Sequence, residues 1–357
     1  MSEGLRWAGV DTSTRTYSVC VVNAAGGVVT QADLPADTEA AHAFLSGYTP
    51  TLVEVALETG TTSVHLARTL AELGYAVSIY DALKVRRFLQ VKLNKTDAND
   101  AHGLAEVARI GGAHLRKTYL KPLSLSVLRS KLVIRERMIK MRKLNEAAMM
   151  SLLHAYGVRA DVTPSSQPSL RRIVMKMIRD VERNYEVPIR GLIMPLLKLS
   201  AILRKDELLL EKDLKDYASH SDICCRLMEI PGVGVITAVS FVTAIGDPHR
   251  FHQSCDVGAY LGLTPRVWRT GIYTKRRGIS KVGNRLTRKH LHIAARGVLD
   301  SRIESSLQTW AKGLADRTNR RKAVVALARK LAVVMLTIWK TGSRFELVRP
   351  LATASEL

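Results

Sequence analysis

The sequence has few cysteines, few aromatic residues and no uninterrupted apolar run of membrane-spanning length. Its four cysteines form no CxxC pair and no Cys/His spacing typical of zinc, so neither a structural zinc site nor a disulfide framework is expected. The most apolar late stretch, residues 323–339, is interrupted by Arg329 and Lys330, and no signal-peptide pattern opens the chain. These absences predict a protein of a reducing cytoplasm.

Acidic residues are also scarce: the 357 residues include 32 Asp and Glu against 54 Lys and Arg, for a net charge of +22. The imbalance is uneven, because residues 1–80 carry a net −5 and residues 81–357 carry +27. Hydrophobic residues make up 46% of the chain, which excludes a disordered protein, and the length suits two or three domains. A first domain with a net negative charge, followed by a strongly basic remainder of the chain, predicts a polyanionic partner, nucleic acid above all.

The first hundred residues alternate strand and helix patterns. Apolar runs over residues 5–10, 17–23 and 28–30 predict a three-stranded meander. Helix, strand, helix and strand patterns then follow in order between residues 37 and 80. This order is that of an RNase H-like (RuvC-like) α/β domain, to which we assign residues 1–115.

The rest of the chain reads as mainly helical. A long helix is predicted over residues 125–156, and apolar residues then recur at near-heptad spacing at Leu196, Leu199, Leu203, Leu210 and Tyr217. We expect a helical hairpin or coiled coil within residues 116–220, and both intramolecular packing and an intermolecular coiled coil fit the spacing. A mainly α-helical C-terminal domain is expected over residues 221–345, followed by a tail over residues 346–357.

Four carboxylates stand where an RNase H-like domain would place them. Asp11 ends the first predicted strand, Glu58 ends the strand over residues 52–57, and Asp97 and Asp100 have the i, i+3 spacing of one helix face. Gathered carboxylates repel one another, and their natural counter-charge is a divalent cation such as Mg²⁺ or Mn²⁺. Two such ions could polarise a phosphate for phosphoryl transfer.

Each acid also has a simpler interpretation. Asp97 could be the N-cap of a helix with Asp100 in its first turn, where both suit the helix dipole. Asp11 and Glu58 could be turn residues beside threonine and glycine. The coincidence of all four with the strand order is what favours the metal site.

The C-terminal region is rich in glycine turns and in positive charge. The segment IPGVG, with Gly232 and Gly234, is similar to a helix-hairpin-helix turn that binds phosphate, although an ordinary helix connection has the same pattern. Residues 266–296 contain ten Lys or Arg and no Asp or Glu, which favours phosphate binding over a mixed solvated surface. The residues nominated for nucleic-acid contact are Arg135, Arg137, Arg142, Lys143, Gly232, Gly234, Arg266, Arg269, Lys275, Arg276, Arg277, Lys281, Arg285, Arg288 and Lys289.

Taken in order, the motifs VDTST, LETG, KTDANDA, IPGVGVITA, GLTPRVWRTG and GISKVGN resemble those of a known family. These are the insertion-sequence transposases that join a RuvC-like DEDD domain to a C-terminal serine-transposase domain, relatives of the Piv-type DNA invertases. The resemblance covers most of the chain. It implies that Asp11, Glu58, Asp97 and Asp100 form a catalytic tetrad that binds Mg²⁺.

The resemblance also implies partners and a nucleophile. Members act as homodimers that assemble into tetramers on donor and target DNA, with a structured non-coding RNA as a bridge, and the C-terminal domain completes the active site, often from another subunit. A serine before the glycine that follows GLTPR attacks the DNA phosphate, and here that position is Thr270. Ser280 is the alternative nucleophile, for which a helix-capping role before Lys281 is the competing interpretation. A prokaryotic cytoplasm, at the nucleoid, is the implied location.

Three functions therefore fit the sequence. The first is an RNA-guided DNA recombinase of transposase type that forms a covalent hydroxyl–phosphate link. The second is a metal-dependent nuclease resembling Holliday-junction resolvases, without a covalent intermediate, and the third is a non-catalytic nucleic-acid-binding protein. The tetrad separates the third from the others, and the basic region around Thr270 favours the first.

Overall fold

The computed structural model describes residues 4–88, 96–111, 115, 117–159, 167–270 and 273–347; at residues 88, 111, 167, 268–270 and 274–277 it describes the backbone only. The chain forms two compact units, Met1–Lys121 and Pro122–Leu357. Among the helices in the described ranges, none is long and apolar enough to cross a membrane.

The first unit contains a six-stranded sheet in the order β3-β2-β1-β4-β5-β6. Its strands are β1 (Arg6–Thr12), β2 (Thr16–Asn23), β3 (Val28–Pro35), β4 (Leu52–Glu58), β5 (Val77–Tyr80) and β6 (Lys117–Thr118). The first three strands form the predicted antiparallel meander, and β4 and β5 run parallel to β1. The short β6, which sequence analysis did not predict, adds an antiparallel edge and extends the first unit to Lys121.

Helices cover both faces of this sheet. They are α1 (Thr38–Ser46), α2 (Ser63–Glu72), α3 (Ala82–Phe88) and α4 (Asp97–Gly111). Because successive strand residues point to opposite faces, Val10 and Leu57 pack with α1 and α2, whereas Ala56 packs with α4. The predicted mixed α/β domain is confirmed, and its RNase H-like character stays a prediction.

The second unit begins with a long antiparallel helix pair. Helix α5 (Leu123–Ala155) confirms the predicted long helix, α6 (Gln167–Tyr185) follows, and α7 (Arg190–Ser219) returns along α5. The direction is fixed by contacts from Lys131 to Asp213 (2.5 Å) and from Asn145 to the Leu196 carbonyl oxygen (2.7 Å). The near-heptad residues belong to this continuous α7, and the intramolecular hairpin is what the structure contains.

The remaining helices surround a large apolar core. They are α8 (Asp222–Met228), α9 (Val235–Ile245), α10 (Asp256–Tyr260), α11 (Arg285–Leu299), α12 (Ser306–Arg317) and α13 (Arg320–Thr341). A two-stranded hairpin, β7 (Pro265–Thr270) and β8 (Tyr273–Ile279), stands between α10 and α11. Leu128 of α5 and Leu214 of α7 share the core of these helices, so the helix pair and the C-terminal helices are one packed unit. The prediction of a mostly helical remainder is confirmed.

Candidate active site and nucleic-acid interface

Asp11 and Glu58 lie side by side at the carboxyl ends of two adjacent parallel strands. Gly9 of β1 pairs with Ala56 of β4, and each acid lies two residues further along its strand. Since residues two apart share a face of the sheet, both acids leave the sheet on the side of Gly9 and Ala56. Both side chains are partly exposed.

Helix α4 crosses that same face directly over Gly9. A Cβ atom at Gly9 would overlap the carbonyl oxygen of Ala101 and the backbone nitrogen of Ala105. Only glycine therefore allows α4 to lie this close to β1. The contact places the first turn of α4, which carries Asp97 and Asp100, near the end of the strand that carries Asp11.

Two further hydrogen bonds fix the direction of α4. Gln31 of β3 donates from Nε2 to the carbonyl oxygen of Ala98, in the first turn (2.6 Å). At the other end, Arg109 donates from Nη1 to the carbonyl oxygen of Ala24 (3.1 Å), in the turn between β2 and β3. Helix α4 therefore runs antiparallel to β1, and its amino end lies at the edge where β1 and β4 end.

Thr96, and not Asp97, caps this helix. The Thr96 hydroxyl oxygen accepts from the Asn99 backbone nitrogen (3.2 Å), and its carbonyl oxygen accepts from the Asp100 nitrogen (2.9 Å). The simpler interpretation of Asp97 as the N-cap is therefore wrong. Asp97 is exposed and Asp100 is partly buried.

The fold thus brings the four acids to one edge of the sheet by their backbone positions. Within the described residues, however, no group of three or more His, Cys, Asp or Glu side chains is arranged to hold a metal ion. The donor set consists of carboxylate oxygens, which Mg²⁺ and Mn²⁺ prefer. Donor chemistry and location fit such an ion, and rotation about the side-chain bonds would have to complete its coordination.

Three polar residues around this edge are not among the site residues predicted from the sequence. Thr12 and Ser63 share a hydroxyl–hydroxyl hydrogen bond (2.9 Å) that joins the end of β1 to the start of α2. The hydroxyl-rich stretch after Asp11 could have indicated Thr12. No local pattern could have identified Gln31, since its partner Ala98 lies 67 residues away.

The basic residues of α5 divide into two groups. Arg135 donates from Nε to Glu211 (3.0 Å), and Arg142 donates from Nε to Glu207 (3.1 Å), both on α7. Arg137 is exposed. Burial lowers the pKa of Arg142, but hydrogen bonds and charges from its carboxylate partners outweigh burial, and the net pKa is raised. We therefore assign Arg135 and Arg142 to helix packing, as a correction to their nomination for nucleic-acid contact.

The exposed cations Arg137 and Lys143 remain available on the solvent side of α5.

The two glycines of the IPGVG turn differ in the space around them. Gly232 has φ +83°, and a Cβ there would lie 2.6 Å from the backbone nitrogen of Val298 on α11, so its glycine is required for packing. Nothing lies within 4 Å of a Cβ at Gly234, which keeps Gly234 as a candidate for backbone contact with phosphate.

Thr270 is the last residue of β7 and pairs with Tyr273 across the hairpin. Its side chain lies outside the described part of the structure. The same holds for the side chains of four nominated cations, Arg269, Lys275, Arg276 and Arg277. Arg266 is exposed, and Tyr273 is 78% exposed, so these two side chains of the hairpin face solvent.

Ser280 does not cap a helix. Its backbone nitrogen donates to the Thr264 carbonyl oxygen (2.8 Å), and α11 begins at Arg285, five residues later, with Asn284 as its side-chain cap. The competing interpretation of Ser280 as a cap is therefore wrong. Ser280 is partly buried.

The four nominated cations around the start of α11 have different surroundings. Lys281 and Arg285 are exposed. Lys289 forms an ion pair with Glu136 of α5. Arg288 donates from Nη1 to backbone carbonyl oxygens, and burial lowers its pKa, with the charge of Arg285 lowering it further.

Two family descriptions match this chain. Residues 8–157 match a transposase family described as the DEDD transposases of IS110 type, and residues 224–310 match the family described as "Transposase IS116/IS110/IS902 family". The first match spans the sheet and the edge that gathers the acids. The second spans the IPGVG turn, the β7–β8 hairpin and α11.

Individual relatives agree with these matches. The chain is 31% identical over 303 residues to the transposase for insertion sequence element IS1111A of Coxiella burnetii, covering 80% of this chain and 76% of the relative. It is 30% identical over 298 residues to the transposase for insertion sequence element IS1328 of Yersinia enterocolitica, covering 82% and 85%. A probable family 20 transposase of Pseudomonas aeruginosa is 27% identical over 308 residues, covering 83% and 86%.

Proposed function

Since the chain belongs to the IS116/IS110/IS902 family of transposases, we propose that it cuts and rejoins DNA through a metal-dependent reaction with a covalent protein–DNA intermediate. DNA transposition follows from the family itself. The observation that carries the mechanistic proposal is the meeting of Asp11, Glu58 and the first turn of α4 at one edge of the sheet.

In this proposal Asp11, Glu58, Asp97 and Asp100 hold Mg²⁺, or Mn²⁺ in its place. When bound, the ion polarises a DNA phosphate and stabilises the negative charge that develops during attack. The chain's own contribution is to hold the four carboxylates at fixed backbone positions. The close contact between α4 and Gly9 supports this role, because it prevents the helix from shifting relative to the strands.

Thr270 is the proposed nucleophile. Its hydroxyl oxygen forms a bond to the phosphorus of the DNA backbone, and the bond from that phosphorus to one deoxyribose oxygen breaks. The freed deoxyribose oxygen takes up the proton, and attack by a hydroxyl of the second DNA reverses the step and restores Thr270. Its position at the end of β7, opposite the exposed Tyr273, supports access by a DNA strand. A threonine hydroxyl is chemically competent for this role.

The proposal includes a structured non-coding RNA that pairs with donor and target DNA. In such a system base pairing by the RNA recognises the DNA sequence, and the protein mainly binds nucleic-acid backbones. The net +27 of residues 81–357 and the exposed Arg137, Lys143, Arg266 and Arg285 support backbone contact. With these partners, the proposed location is the nucleoid of a prokaryotic cytoplasm.

A homodimer that assembles into a tetramer is part of the same proposal. Ile134, Met141 and Leu144 lie exposed along α5 at heptad spacing, and Leu192 and Ile202 lie exposed along α7. Such stripes on a helix pair are typical of a surface that packs against other helices. They support association between copies of the chain through this helix pair.

A cleavage assay tests the proposed function. Purified protein, its RNA and plasmids carrying the element ends and a target are incubated with Mg²⁺ or with EDTA. Glu58→Gln is expected to lower strand cleavage about 100-fold or more, while nucleic-acid binding stays unchanged. Glu72→Gln, an exposed acid on α2 in the same unit, is the matched control and should cleave normally.

Cleavage by Glu58→Gln at the wild-type rate in Mg²⁺ would contradict the metal-site assignment. Normal cleavage in EDTA would contradict metal dependence altogether. Cleavage that requires Glu58 but leaves no DNA on the protein would favour the nuclease interpretation.

A further inference from the structure

A cavity of about 300 Å³ lies in the second unit, bordered by α11, α13 and the segment that joins β8 to α11. Its floor is apolar and includes Leu263, Val325 and Ala328. Its rim is cationic and includes Lys281 and Arg285. The cavity therefore combines an apolar surface with positive charge at one opening, as sites for small organic anions do.

The positive charges around this cavity have no carboxylate among the lining residues. Arg288 is held in place because its Nη1 atom donates to the carbonyl oxygens of Leu261 and Val282, both at 2.9 Å. Burial lowers the pKa of Arg288, and the nearby charge of Arg285 lowers it further. Arg285 and Arg288 thus hold two like charges close together, and a bound anion would reduce the repulsion between them.

Lys281 has an unusual backbone conformation for its residue type. Its φ is +58°, in the left-handed region where glycine is the relaxed choice. Its backbone nitrogen donates to the carbonyl oxygen of Gly262 (3.1 Å), and a Cβ at Gly262 would lie 2.6 Å from the Val282 nitrogen. The segment is therefore locked by close backbone packing. A lysine kept in a strained position at the mouth of a cationic cavity indicates a function for its charge.

The amino end of α11 does not supply the attraction for an anion. Asn284 accepts hydrogen bonds from the backbone nitrogens of Leu286 (3.1 Å) and Thr287 (3.3 Å). Lys289, one of the lining residues, pairs with Glu136 of α5. Anion binding here would depend on the side chains of Lys281, Arg285 and Arg288.

We propose that this cavity binds one unstacked nucleotide of a nucleic-acid strand, with its phosphate against Lys281 and Arg285 and its base on the apolar floor. A phosphate alone would leave the floor uncovered, whereas a base would fill it and would stack on the guanidinium plane of Arg288. The inference rests on the proposed function in one respect. A recombinase that opens duplex DNA and handles folded RNA meets unpaired nucleotides.

The test is a binding measurement in EDTA, so that strand cleavage does not enter it. Full-length protein is titrated into single-stranded 12-residue DNA and RNA probes that carry one 2-aminopurine, whose emission rises when the base leaves its stack. Val325 is partly exposed, so Val325→Phe fills the floor without replacing a fully buried residue. This variant is expected to lose the emission change and to bind roughly tenfold more weakly.

Lys281→Gly removes the charge and relaxes the backbone in one change. The variant should be at least as stable as the wild type, and the slope of log K against log salt should fall by about one. Lys312→Gln is the matched control, because Lys312 is exposed on α12 and outside the cavity lining. It should keep the emission change. A larger response with the DNA or with the RNA probe would identify which strand supplies the nucleotide.

An emission change and affinity equal to wild type in a cooperatively folded Val325→Phe would overturn the proposal. An unchanged salt slope in Lys281→Gly would show that Lys281 does not contact a phosphate, and this result would also overturn the proposal. If the wild-type protein produced the emission change but cleaved no DNA in Mg²⁺, the proposed function would be refuted and this inference would stand.

Discussion

The backbone of Gly9 lies directly against that of Ala101, so that a single added carbon at Gly9 would overlap the Ala101 carbonyl oxygen. This contact joins the strand that ends at Asp11 and Thr12 to the helix that begins at Asp97. The two elements come from distant parts of the sequence. Their proximity depends on the absence of one side chain.

Gly9→Ala should therefore destabilise the first unit without altering any carboxylate. We expect a loss of about 3 kcal/mol in the free energy of unfolding, because a helix backbone cannot move aside as a flexible side chain can. Urea unfolding measures this loss. Gly4→Ala is the control, since its Cβ would lie 4.0 Å from the nearest atom, Thr51 Cγ2. Equal unfolding midpoints for the two variants would show that α4 does not depend on Gly9.

Arg142 and Arg137 are predicted to have separable roles. Glu207 is 2% exposed and is paired with Arg142 and with Arg204. Arg142→Ala leaves that buried carboxylate short of a partner and should lower the free energy of unfolding by about 3 kcal/mol. Urea unfolding measures this change.

Arg137→Ala is the matched variant, because Arg137 is exposed on the same helix. It should change stability by less than about 0.5 kcal/mol and lower the salt slope of nucleic-acid binding by about one. A stable Arg142→Ala with a reduced salt slope would contradict the assignment of Arg142 to packing.

His290 should make stability depend on pH. Burial lowers its pKa from 6.5 to about 4, Glu136 opposes this shift, and the charges of Lys289 and Arg135 add to it. Its Nδ1 atom has no hydrogen-bond partner among the described residues. Between pH 6.5 and 4 the unfolded chain binds a proton that the native state does not, so stability falls as the pH falls.

The contribution of neutral His290 to the free energy of unfolding is fully present above pH 6.5, and about 3 kcal/mol of it is lost by pH 4. Melting temperatures of the wild type and of His290→Leu, measured from pH 7.5 to pH 4, test this expectation. The wild-type curve should fall more steeply than that of the variant. Parallel curves would mean that His290 takes up its proton at the same pH in the folded and in the unfolded protein.

The sequence was most informative where local periodicity decides the structure. Alternating apolar residues ending at Glu58 predict a strand whose last residue faces the sheet edge, and the structure has that strand. The i, i+3 spacing of Asp97 and Asp100 likewise predicts one helix face, and α4 begins there. These features depend on neighbouring residues, which a sequence displays directly.

Interactions between distant residues could not be predicted in the same way. The acid that pairs with Arg135 lies 76 residues further along the chain, so a basic stretch on a helix appears more available in the sequence than it is in the fold. The sequence does not distinguish Thr96 from Asp97 as the cap of α4, because threonine and aspartate both favour that position. Only the backbone geometry distinguishes two adjacent capping residues.

The most direct test of the central claim is the search for a covalent protein–DNA adduct at Thr270. Protein, RNA and DNA are allowed to react in Mg²⁺ and are denatured, the DNA is digested, and the nucleotide-bearing peptide is identified by mass spectrometry. Thr270→Val, which keeps the side-chain shape without the hydroxyl, should form no adduct, whereas Thr270→Ser and Ser280→Ala should both form one. We predict an adduct on Thr270 that disappears in Asp11→Asn. An adduct on Ser280, or cleaved DNA without any adduct, would contradict the account.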